Sequence, residues 1–395
     1  MPCGRSAQPG SSTGTQWREH TTYRGRTLAA AAAVGMALTA FLAPSVLAQN
    51  KLPDLDYAKR IIAKHSQLPT FTPPGPPFDA RKCIAGKKVL SIPVSSANPF
   101  TKNIDIAETT VAKQLGFEWV EWQNQARPTQ WVQGIEYGIN NKFDAIDLLG
   151  GVNPAVLGPQ IAAAKKAGLQ VFTSHFNDTT QKLDPNIDLS LPVPYHYVGQ
   201  VLADWVILKT NGKVNAVIVG SDEILPTAPF VKGITDELKT RCGPGCRYTY
   251  VNAPVPEWAT KIQPSVQSAL IADPTVNYVI PIYDSMSQFV IPAILITGRK
   301  GKVQIATFNG TPFVIDAIQR GDVEMDIGES LGWIARSVLD GFMRKLCGLP
   351  TYGELYVPFY IFDASNAKKA GTPADYDRGY GDQHVAGYNA LWGVK

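Results

Sequence analysis

Short apolar runs of strand length alternate with amphipathic helical segments along most of this chain, and that alternation restricts it to parallel α/β architecture. In the first half the runs are Val89–Val94, Phe117–Trp122, Phe143–Leu149 and Leu169–Ser174, each followed by a helix signal. Ile104, Val111 and Leu115 share one helical face that ends at Gly116, and Trp131, Ile135 and Ile139 recur every fourth residue. Asn153-Pro154 offers a cap and a first-turn proline for a helix that stops at Gly168. The second half repeats the scheme with strands at Lys213–Val219, Arg247–Asn252, Val276–Ile282 and Val303–Phe308. Two successive sets of strand-helix units predict two doubly wound lobes. A helix over Ser330–Leu346, with Leu331, Ala335, Val338 and Phe342 on one stripe, is free to return to the first lobe.

The first 48 residues read as an address. Arg18, Arg24 and Arg26 precede an apolar run from Leu28 to Leu42 that ends before Pro44, and Val46-Leu47-Ala48 offers the small-residue pattern of a cleavage site. Cleavage after Ala48 is expected, giving an exported periplasmic protein with no cysteine at its new N-terminus for lipid attachment. It removes four arginines and one glutamate, three of the four formal positive charges, and leaves a near-neutral mature chain. With no basic run, nucleic acid and anionic lipid are poor partners. Four cysteines remain, and an even number in an oxidising compartment points to disulfides. Cys242-Gly-Pro-Gly-Cys246 brackets a tight turn that a local bridge spans easily, which leaves Cys83 and Cys347 as the second pair. His65, His175, His196 and His384 are scattered, none at zinc spacing from the cysteines, so neither metal nor cofactor is expected.

Ligands of such sheets bind beyond the carboxyl ends of the strands. That rule selects Asn98-Pro99-Phe100, then His175-Phe176-Asn177-Asp178, Ser221-Asp222-Glu223, Glu257-Trp258, Tyr283-Asp284 and Asn309-Gly310-Thr311-Pro312. Amides, carboxylates and rings alternate there, chemistry suited to hydrogen-bonding a hydroxylated molecule while stacking on its C–H faces. Several of these residues also have purely structural roles open to them. Asn98 and Asp284 suit helix caps, Asn309 a turn, Glu329 a first-turn dipole partner, Phe100 and Trp258 core packing, and His175 a hydrogen-bonded strand end.

At these residues the chain resembles the type I periplasmic binding proteins of sugar ABC transporters, the ribose-binding-like group. The resemblance runs from about Lys87 to Pro350 and rests on order and spacing: Asn98-Pro99-Phe100, Phe143-Asp144-Ala145-Ile146 with Asn153-Pro154, Lys165-Ala167-Gly168, Tyr283-Asp284, Phe308 through Pro312, and Ile318 with Gly321. It implies two Rossmann-like lobes on a three-stranded hinge. Residues 80–194 plus 330–348 would form the first lobe, and 195–329 plus 349–395 the second lobe and tail, after a strap at 49–79. Tyr195–Val198 and Glu329 would fall at crossings.

The resemblance further implies that Asn98 and Phe100 match the family's first-loop amide and aromatic, and that Trp258 falls near its stacking ring. His175 and Phe176 stand where sugar binders carry an Asp-Arg pair, and Ala228 and Phe230 lie where a second-lobe arginine is expected. Tyr283 replaces an asparagine, Asn309 an aspartate and Glu329 a glutamine. Asn98, Phe100, His175, Phe176, Asn177, Trp258, Tyr283, Asp284, Asn309 and Glu329 are therefore the candidate ligand residues, with Glu329 or Asp284 as the ionic group. An unusual small polar ligand is expected in place of a common hexose or pentose.

The function this implies is capture of a small polar solute, a sugar, polyol or related compound, by a monomer that delivers it to an ABC permease in the inner membrane. Presentation of the loaded form to a chemoreceptor or histidine kinase uses the same surfaces. An enzyme on this architecture is disfavoured, since no nucleophile elbow, glycine-rich nucleotide loop or metal triad is present.

Overall fold

A computed structural model describes residues 52–151, 154–182, 184–352, 355 and 357–394. The expected export leader and Asn153 lie outside them. After α1 (Leu55–His65) and α2 (Ala80–Ile84), the first lobe runs β1 (Lys88–Pro93), α3 (Pro99–Leu115), β2 (Glu118–Glu121), α4 (Pro128–Asn140), β3 (Ala145–Leu149), α5 (Gly158–Lys166), β4 (Gln170–Asp178) and β5 (Leu189–Val193). The second runs α6 (Tyr195–Lys209), β6 (Asn215–Gly220), α7 (Thr227–Glu237), β7 (Arg247–Asn252), α8 (Trp258–Ala272), β8 (Tyr278–Pro281), α9 (Ser287–Ile296), β9 (Gln304–Asn309), α10 (Pro312–Gln319) and β10 (Met325–Gly328). Then come α11 (Leu331–Leu346), β11 (Tyr360–Asp363) and α12 (Gln383–Leu391).

The local signals explain these elements. Asn98 caps α3 by accepting from Phe100 N at 2.9 Å, Pro99 opens it, and Gly116, at φ 85°, closes it with its N–H on Ala112 O. Ile104, Val111 and Leu115 are all buried. The first sheet is parallel, in the order β2-β1-β3-β4-β5, and the second has the order β11-β10-β9-β8-β6-β7, antiparallel only at β10–β11. Each order reverses beside its first strand, β1 or β6, so the crevices beyond β1 and β6 face the cleft.

Three strands exceed the four expected in each half. β5 carries Pro192, β10 carries Asp326 in its centre, and β11 lies in the aromatic tail, so none reads as an apolar strand. Asp326 is fully buried, and burial holds its carboxyl well above the usual carboxylate range, with the nearby Asp284 charge adding to the effect.

Helix α11 follows the second lobe in sequence yet packs on α2, α3 and β5 of the first. Cys83, in α2, is bonded to Cys347 just past α11, and Cys242 is bonded to Cys246 across the turn before β7. Of the tail residues grouped above with the second lobe, β11 extends the second sheet, whereas α12 lies against α11. The strap is divided in the same way. Helix α1 packs on α6, while Phe78 N and Ala80 N donate to Leu391 O and Trp392 O at 2.8 and 3.1 Å. Among the described residues no helix is long and apolar enough to cross a membrane.

Candidate functional site

The carboxyl ends of strands from both lobes meet in a small pocket of about 30 Å³ with mixed polar and apolar walls, room for one or two waters. Asn98, Phe100, His175, Trp258, Tyr283 and Asn309 line it, six of the ten candidates.

On the first-lobe side, Asn98 Oδ1 does two jobs. Besides capping α3 it accepts from Ser285 Oγ of the second lobe at 2.6 Å, a direct hydrogen bond across the cleft. Phe100 is buried with its edge on the His175 ring, the centroids 4.7 Å apart. His175 itself sits where β4 bends. Its φ of 49° is uncommon for a residue with a side chain, and such a conformation persists only where the surroundings hold it. Here they do. Nε2 lies 2.7 Å from Glu329 Oε2 and Nδ1 lies 2.6 Å from Tyr195 Oη, whose hydroxyl also donates to His175 O at 3.1 Å. His175 is 2 % exposed and Glu329 1 %, so the pair is sealed from solvent.

On the second-lobe side, Trp258 Nε1 is spent on Ser221 Oγ (2.8 Å) and Ala253 O (3.0 Å), which leaves the indole's hydrocarbon surface for the pocket. Tyr283 Oη lies 3.0 Å from Thr227 Oγ1, and burial pushes its phenol up. Asn309 Oδ1 accepts from Asp284 N at 3.3 Å, while its Nδ2 is buried without a partner. The loop that follows is crowded. A Cβ on Gly310, at φ 77°, would stand 2.3 Å from Tyr380 Oη and 2.7 Å from Glu329 O, so only glycine fits there.

Phe176, Asn177, Asp284 and Glu329 do not reach the pocket. Strand alternation turns Phe176 away from His175 into the first-lobe core beside Leu148 and Ile161. Asn177 accepts from Ser190 Oγ at 2.7 Å and donates to Asp178 O. Asp284 accepts from Thr311 N at 2.7 Å, behind the wall, where it forms a buried carboxyl pair with Asp326. Burial raises its carboxyl, which keeps ionic charge low beneath the site. Glu329 acts through His175.

Val94, Thr101, Gly150, Tyr195, Ile224 and Ser285 complete the lining and were not among the candidates. Ser285 is the next residue after Tyr283-Asp284 and Tyr195 marks a crossing, so both carried a positional signal; Val94 and Ile224 read only as core. No lysine or arginine lines the pocket.

Outward from this pocket, sharing Val94 and Ile224 with it, a second chamber of about 330 Å³ opens between the lobes. Its walls are apolar apart from Glu223.

The molecule is similar in fold to solved solute-binding proteins. An ABC transporter solute-binding protein from Agrobacterium vitis with bound allitol aligns at 18% identity and TM-score 0.64, over 73% of this chain and 99% of that one. A carbohydrate transporter protein from Acidothermus cellulolyticus 11B in complex with myo-inositol aligns at 18% identity and TM-score 0.61, over 73% and 97%. An ABC transporter solute-binding protein from Bacillus halodurans C-125 with bound myo-inositol gives 16%, 0.62, 73% and 99%. No curated protein sequence matches the chain. The family model for the periplasmic binding protein domain matches residues 89–349, the stretch that forms both lobes and α11. With two mainly parallel sheets facing one cleft and most of its length matched by that model, the chain belongs to the periplasmic binding protein domain family, whose members bind solutes and are not enzymes.

Proposed function

We propose that the mature protein, beginning after Ala48, is a periplasmic solute-binding protein. In this reading it closes its two lobes on one small neutral compound, a sugar, polyol or related molecule, and the closed monomer delivers that compound to an ABC permease of the inner membrane. The observation that carries this is the convergence of hydrogen-bonding groups from both lobes on one pocket, with Ser285 and Asn98 joined across the cleft. A group that depends on closure is what a capture protein needs, because the ligand gains its full contacts only when the lobes meet.

Family membership supports the reading, and so do the bound polyols of structures sharing the fold. The absence of arginine and lysine from the lining favours a neutral ligand, since a buried anion without a cation is costly. Thermal-shift and titration calorimetry against a broad panel of sugars, polyols and related neutral compounds are expected to return one ligand, or one narrow class, that strongly stabilises the protein. Failure of every compound to bind would remove the reading.

A further inference from the structure

The two chambers of the cleft differ in size and chemistry in a way that restricts the ligand. The inner one, about 30 Å³ and with mixed walls, admits a single compact group, while the outer one, about 330 Å³, lies in the range of whole ligand sites. The outer chamber is hydrocarbon. From the first lobe come Ala126, Pro128, Trp131 and Val156, and from the second Pro254 and Val255. Prolines donate no N–H. Trp131 Nε1 is spent on Val94 O and Asn124 Oδ1, both at 3.2 Å, so its ring offers carbon surface. The single charged wall residue, Glu223, has Oε1 accepting from Val255 N at 2.5 Å.

The inner end is a donor site. Asn309 Nδ2 is buried and unpartnered, and among the described residues Asn98 Nδ2 makes no hydrogen bond while its Oδ1 is doubly used. Two residues that line the pocket, one from each lobe, thus carry amide N–H₂ groups without a partner, and neither chamber has a cation to balance an anion.

We propose, building on the capture reading, that the ligand is a neutral amphipathic molecule. One oxygen acceptor, a carbonyl or hydroxyl, is held between Asn98 and Asn309, and an apolar body of at least one aromatic ring occupies the outer chamber, which has room for more. A polyol wets both ends equally and leaves the larger chamber's walls without a matching surface.

Calorimetric titration of the mature chain with acetophenone, myo-inositol and allitol tests this. Acetophenone is expected to bind at least tenfold more tightly than either polyol, with a negative heat-capacity change. Val156→Asp, at a position 58 % exposed and so neutral for folding, is expected to weaken acetophenone at least tenfold. Asn98→Asp keeps the capping oxygen, loses the N–H₂ donor and is expected to weaken it comparably. Polyol binding without acetophenone binding, or acetophenone affinity indifferent to both substitutions, overturns this inference and leaves solute capture standing. No binding by these compounds or by any sugar or polyol of the wider panel overturns the capture reading as well.

Discussion

The first lobe is assembled from two stretches of chain separated by the whole second lobe, whereas the second lobe is nearly continuous. β1 to β5 wait for α11, which arrives only after residue 330, and Cys83–Cys347 then closes the lobe over a sequence separation of 264. The second lobe's bridge, Cys242–Cys246, spans a separation of 4. Both lobes bury carboxyl groups, Asp105, Glu108 and Asp147 in the first and Asp284 with Asp326 in the second. The same strand-helix scheme therefore carries different burdens. A core built from distant segments pays for closing a long loop, and a cross-link placed at that closure acts mainly by lowering the entropy of the unfolded chain.

Substitutions can break or sharpen this contrast. The largest loss is expected from Cys83→Ser, which reopens the long loop and costs ~5 kcal/mol by chain entropy. Denaturant titration measures it, and a loss no greater than that of the local bridge would erase the difference between the lobes.

The buried first-lobe carboxyls come next. Burial raises Asp105 to about 7 and Asp147 to about 8, and pushes Glu108 well above the usual range. Their folded forms hold protons that the unfolded chain releases near pH 4, so stability is complete below about pH 4 and falls as pH rises through about 8. Asp147→Asn, which keeps a partner for Ser174 Oγ (2.6 Å from Asp147 Oδ2), is expected to flatten that fall. The variant should gain on the order of 3 kcal/mol relative to the parent between pH 5 and pH 8. Melting curves at the two pH values that move in parallel would sink this.

Between the lobes, His175→Ala leaves buried Glu329 Oε2 without its hydrogen-bond partner and is expected to cost about 3 kcal/mol. Because the pair ties β4 of the first lobe to the residue that follows β10 of the second, both lobes should lose protection together in hydrogen exchange; loss confined to one lobe contradicts the joint role. Cys242→Ser is expected to cost ~2 kcal/mol, since its loop is short. The smallest effect belongs to Ser285→Ala, about 1 kcal/mol in stability by loss of one hydrogen bond, together with a several-fold weaker ligand affinity in calorimetry. Unchanged affinity would separate the interlobe bond from closure.

The mainly apolar strands β1, β3, β6 and β9 were legible to within a residue or two because both their faces are largely buried and local pattern reports burial directly. β10 was not, since it is only four residues long and Asp326 leaves just Met325 and Ile327 as apolar signal, whereas β3 keeps Ile146, Leu148 and Leu149 around its own buried Asp147. Of the residues that the strand-end rule proposed, Asn98, His175, Tyr283 and Asn309 line the pocket, but the rule could not choose between neighbours. His175 faces the cleft and Phe176 the core because the β4 bend sets the phase of the alternation, and that bend is held by Glu329, 154 residues away.

The sequence alone determined the alternating α/β scheme, the helix caps at Asn98 and Gly116 and the strand ends where a ligand site would lie, all properties of residues close along the chain. Only the tertiary structure decided that a histidine, a glutamate and a tyrosine join at the crossings, that Asn98 and Asn309 face one pocket, and that a hydrocarbon chamber opens beside it. Those depend on how two lobes meet, and the energy of that meeting resides in contacts between residues whose separation in sequence carries no trace of their proximity in space.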